Sequence, residues 1–260
     1  MESIVAFIET KKQEFAKMPL FDFLANKQIH ANQRLIFAPV LAPLAVGLSD
    51  LNKYVLRDSS SNSKVQELIN KYTYQKNYYW HDYLEYLEEL GLNQLISNGD
   101  FRLLWGEETK KTRSLCSAIE RYAWKASPIE KLVLVEVLEG TAKLFFEAAL
   151  AVVMELQHIN QKEYVDFEVN YGGLENYHLL NMPEILQFLA ESKLTNAECQ
   201  AALELAQNVF ELFTEAMNEL FQHSQTNSCN TVVQVSSISA FAHCAIECLD
   251  MYSLSQKDEV

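Results

Sequence analysis

Ser127-Pro128-Ile129-Glu130 is the passage that most restricts the fold, because it opens a helix that the residues after it give no reason to end before about His158. Serine suits the N-cap, proline the first helical position, and glutamate three residues on can reach back to the serine amide. A helix that long must bury its apolar side against other elements. The rest of the chain offers mainly helices to bury it against. Ser63-Lys64-Val65-Gln66 has the same capping pattern and opens a helix expected to run to about Gly91. Thr195-Asn196-Ala197-Glu198 opens another, expected to reach about His223. Helical periodicity adds segments at 3–17, 31–49, 110–124, 163–180 and 236–252. The breaks fall at Arg57–Asn62, Gly91–Gly99 and His223–Asn230. With only 7 Gly and 5 Pro in 260 residues, long helices and few turns are expected. The reading is a single all-α domain, 1–260, of about eight helices, with no repeat of the kind a solenoid needs.

Charge and cysteine content narrow the function. A formal net charge of -14 argues against nucleic acid or an anionic membrane as partner. No apolar run is expected to approach the roughly 18 residues of a bilayer span. The acidic start Met1-Glu2-Ser3 lacks the basic region of a signal peptide. Cys116, Cys199, Cys229, Cys244 and Cys248 read as reduced thiols, so the expected compartment is the cytoplasm.

Three helices each carry a polar group in the middle of an apolar stripe. In the Ser127 helix the stripe is Leu132, Val135, Glu139, Ala142, Phe146, Ala149 and Val153, with Glu136 at its margin and Lys143 beyond. In the Ser63 helix, Leu68, Tyr72, Gln75, Tyr79, Tyr83, Tyr86 and Leu90 share a face, and Gln75 is the polar member among phenols. In the segment 163–180, Tyr171, Glu175 and His178 follow at helical spacing. A carboxylate in such a stripe is costly unless it is paired, protonated or bound to a metal. Glu-x-x-His is also a spacing by which bundles present ligands to iron. Each group alone is also what an ordinary salt bridge or core histidine would show. Their convergence points to a site between the helices.

The order of these blocks resembles the haem-oxygenase-like proteins, in particular the branch of iron-containing redox enzymes and haem-oxygenase-like diiron oxidases. The resemblance covers roughly residues 18–222. It rests on Pro19-Leu20-Phe21, on Trp80-x-x-Tyr83-Leu84-x-x-Leu87-x-x-Leu90-Gly91, and on Glu136-x-x-Glu139-x-Thr141. It continues through Glu175-x-x-His178 and Leu194-Thr195 to Val209-Phe210-x-x-Phe213. The resemblance implies a haem-oxygenase-like bundle and a metal site built on three core helices. It puts the middle glutamate at Glu139 and the last two ligands at Glu175 and His178. The family's first-helix glutamate falls at Gln75, that helix's histidine at Tyr79, and the histidine before Glu175 at Tyr171. Half of the ligand set is replaced. His81 lies about 200° around the helix from Tyr79 and is a poor substitute.

Three surviving ligands cannot hold two irons firmly. What the resemblance implies is therefore a reduced site. One form is a single iron on Glu139, Glu175 and His178, with Gln75, Tyr79 or Tyr171 completing it. Another is a metal-free acid/base pocket of Glu139, Glu175, His178, Tyr79 and Tyr171, similar to thiaminase II or pyrroloquinoline quinone synthase-like proteins. The expected activity is oxidation of a small molecule with O2. A degenerate member that binds a ligand or a protein and catalyses nothing is the third reading.

Smaller signals stay structural. Cys116 reads as core. His243-Cys244-x-x-x-Cys248 lies in a segment of helical character and, without a second distant pair, does not read as a zinc site. That last helix, 236–252, is expected to cover the bundle or to form a homodimer interface. Gly172-Gly173 marks a close approach or a break, and the acids of Glu85–Glu89 a solvated face.

Overall fold

The computed structural model describes residues 2–75, 83–84, 87–88, 103–160 and 194–228. Among these, the chain is an all-α bundle. Its helices are α1 (Glu2–Phe15), α2 (Pro19–Ala25), α3 (Ala31–Arg34), α4 (Ala42–Asp50), α5 (Lys64–Gln75), α6 (Lys110–Ala123), α7 (Pro128–Asn160) and α8 (Asn196–Ser228). A 3-10 turn, Ala38–Leu41, leads into α4, and a π-helical turn, Leu51–Leu56, continues it.

Local sequence sets the helix starts as expected. The Ser127 hydroxyl accepts from the Glu130 amide at 3.3 Å, and the Glu130 carboxylate accepts from the Ser127 amide at 2.8 Å. Thr195 and Glu198 repeat the pair at 3.2 and 2.8 Å. The Ser63 start is only half of that pattern. Ser63 accepts from the Gln66 amide at 3.5 Å, but the buried Gln66 side chain turns away to donate to the Leu56 carbonyl and to Asn70. It ties α5 to the π turn before it.

α7 is the hub. It packs against α1, α2, α3, α5, α6 and α8. Every residue from Leu132 to Thr141 is buried, so this half of the helix has no solvent side. The expected single stripe is thereby corrected: Val133, Leu134, Val137 and Leu138 are as buried as the stripe, and Glu136 is inside rather than at the margin. α8 runs along both α6 and α7, and α4 lies across α6.

The segment expected as one helix over 31–49 is three short pieces, α3, the 3-10 turn and α4. Pro39 and Pro43 each open a piece, at the first or second position of the 3-10 turn and of α4, where a missing amide hydrogen costs nothing. The stretch also continues seven residues further than expected, to Leu56. Within Ala31–Leu56 an 18-residue window has mean hydropathy 1.6, enough by length and composition alone to cross a membrane. This corrects the expectation that no run approaches a span. Its buried Arg34 donates to the Leu24 carbonyl at 2.7 Å and the Ile29 carbonyl at 3.0 Å. Its second terminal nitrogen forms an ion pair with Glu155 of α7 that is not aligned as a hydrogen bond. A short helix that the sequence did not announce, α2, packs on α7 and α8.

Candidate functional site

Between these helices lies a cavity of about 100 Å³. Phe15 of α1 and Phe213 and Met217 of α8 form one wall. Leu41, Leu44, Ala45, Leu48 and Asn52 form the second, all from the 3-10 turn, α4 and the π turn. Tyr72 of α5 and Tyr83 form the third. The fourth is one side of α7: Leu138, Glu139, Thr141, Ala142, Phe145 and Phe146. Edge-on aromatic contacts stiffen the enclosure. Phe15 meets Phe213 with ring centres 6.5 Å apart, and Phe37 and Phe146 flank Phe145 at 5.9 and 5.6 Å.

Polar atoms in this lining are few, and most are already committed. The Tyr83 hydroxyl donates to the Ala38 carbonyl at 2.8 Å. The Thr141 hydroxyl donates back to the Val137 carbonyl at 2.8 Å. Glu139 is 6% exposed, and burial pushes its carboxyl up to about 8, so it is mainly protonated at neutral pH. Glu136, one turn earlier, is equally buried but is not part of the lining.

Of the residues singled out in the sequence, Glu139 lies at the cavity wall, as expected, and Tyr72 and Tyr83 of the same phenol-lined face join it. Leu68 packs against the core. Gln75 is the last described residue of α5. Tyr79, Tyr86, Leu90, Tyr171, Glu175 and His178 lie outside the described residues, as do His81, Gly172, Gly173, His243, Cys244, Cys248 and the expected helices 163–180 and 236–252. Among the described residues, no three histidines, cysteines or acids gather as metal ligands. Among the described lining residues Glu139 is the one carboxyl, and that donor set does not by itself fit an iron ion. Cys116 is core, as expected. Its thiol, pushed up to about 12 by burial, donates weakly to the Leu44 carbonyl and is no nucleophile.

The residue that sequence reading missed is Asn52. Leu41, Leu44, Ala45, Leu48 and Asn52 follow one another at helical spacing, and all line the cavity. Ending the helix at 49 cut off the one polar member of that face. No protein-family model matches the sequence, and no curated protein matches it.

Proposed function

We propose that the chain handles a small, largely apolar molecule in the Glu139 cavity, as an O2-dependent oxidase of the haem-oxygenase-like kind with a reduced site. One observation carries the reading: a glutamic acid held neutral near pH 7 in the wall of an apolar cavity. A carboxyl with its pKa near the working pH can give a proton to a bound molecule and take it back, which a surface carboxylate near 4 cannot do as well. The apolar walls favour ligands with little charge and exclude water from the exchange. The resemblance supplies the oxidative part of the proposal, and Glu175 and His178 are its remaining candidate partners. Tyr79 and Tyr171 are the candidate hydroxyl donors.

A second reading, a binding protein without catalysis, is favoured by the same lining. The Tyr83 and Thr141 hydroxyls are spent on backbone carbonyls, so the wall can hold a ligand more readily than it can react with one.

Anaerobic loading with Fe(II), followed by metal analysis and thermal melts of wild type and Glu139→Gln, tests the proposal. At most one iron per chain is expected, with any iron-dependent rise in Tm lost in Glu139→Gln. Two irons per chain, or one that Glu139→Gln leaves unchanged, would contradict a reduced site at Glu139.

A further inference from the structure

Asn52 is 6% exposed and lines the cavity from the π turn Leu51–Leu56. Its carboxamide can donate two hydrogen bonds and accept two. Among the described residues it makes none, and its neighbours on that wall, Leu41, Leu44, Ala45 and Leu48, have only hydrocarbon side chains to offer. Its amide nitrogen and oxygen are not among the buried side-chain atoms left without a partner, so they reach space that a ligand can enter. The backbone adds a second sign. A π turn inserts a residue into the helical register and re-aims the side chains that follow, and such turns are often found at functional sites. Helical spacing from Leu48 sets Asn52 on the cavity wall, and the π turn Leu51–Leu56 opens at that same point.

We propose that Asn52 is the recognition group of the cavity, selecting a neutral, mainly apolar molecule that carries one hydroxyl or amide head. The head would accept from the Asn52 amide nitrogen and donate to its oxygen, while the hydrocarbon part fills the space between Phe15, Leu48 and Phe146. Among the described lining residues no Lys, Arg or His stands ready to pair with an anion, which disfavours an anionic head. At about 100 Å³ the space suits roughly a single small ring, since a buried apolar cavity of about 150 Å³ takes benzene. This inference rests on the proposal that the cavity is the ligand site, and the experiment separates the two.

Benzyl alcohol and toluene serve as probes, alike in shape and differing in one hydroxyl. Binding to the full chain is measured by ligand-observed NMR and calorimetry. Wild type is expected to prefer benzyl alcohol by about tenfold, the worth of one or two hydrogen bonds to a buried amide. Asn52→Leu should erase the preference while keeping toluene. Asn52→Ala, which cannot overpack, should erase it too. Ala142→Phe, which fills the cavity, should abolish both probes. If both probes bind wild type and the preference survives in Asn52→Leu and Asn52→Ala, Asn52 is not the recognition group, though the cavity still is a site. If neither probe binds wild type, or both bind Ala142→Phe unchanged, the cavity reading fails and takes the inference with it.

Discussion

Glu139 shares the cavity wall with Leu138, Ala142 and Phe146 on a helix with no solvent side in that half, and burial pushes its carboxyl up to about 8. In the unfolded chain the same group ionises near 4.5. Between those values the folded state holds a proton that the unfolded state has released, so this residue's contribution is fully present below about 4.5 and is lost as pH rises through 8. The expected slope is roughly 1.4 kcal/mol of stability lost per pH unit within that window. Glu139→Gln has no proton to lose. It should flatten that part of the stability curve, measured by urea unfolding at a series of pH values, and exceed wild type above pH 8. A wild-type curve that rises from pH 5 to 8 and is unchanged in Glu139→Gln would mean the carboxyl is ionised in the fold. The sequence made Glu139 legible because a carboxylate in mid-stripe is conspicuous. It hid Glu136, because a stripe argument assumes that every helix has a wet side.

At the scale of elements, the close crossing of α4 and α6 shows what local sequence can and cannot announce. A Cβ added to Gly47 would stand 2.7 Å from the Cys116 Cβ and 2.9 Å from its sulfur, so the two helices meet at a point where only glycine fits. Gly47→Ala should cost about 1–3 kcal/mol as overpacking. In a Cys116→Gly background the same change should be neutral or stabilising, since alanine is the better helix former. Equal costs in both backgrounds, read from denaturant midpoints, would place the strain elsewhere. Gly140 behaves differently, because its added Cβ would meet only the flexible Lys12 side chain, which can move. Neither contact is visible in a single sequence. The reciprocal caps at Ser127 and Thr195 were legible because they join residues three apart. The cap on α6 was not, because the acceptor for the Lys111 and Thr112 amides is Glu219, on α8. The same limit explains 31–49: periodicity reads it as one helix, while prolines open the 3-10 turn and α4, and the run continues as a π turn to Leu56.

Across the whole molecule, α7 is the axis on which the other helices converge, and the cavity is where α1, α4, α5 and α8 fail to fill the space beside it. Its walls come from segments far apart in sequence, so it forms only when the bundle closes. That the chain is all-α was legible from its helix starts and scarce turn residues; that Asn52 faces Glu139's cavity required the assembled fold. What sets this cavity apart is the neutral glutamic acid in its wall. Carbon-13 NMR of the chain labelled at glutamate Cδ, titrated from pH 4 to pH 9, tests it most directly. One carboxyl resonance should titrate near 8 and be missing from Glu139→Gln. If every glutamate titrates between about 4 and 5, or the high-pKa resonance persists in Glu139→Gln, the claim is contradicted.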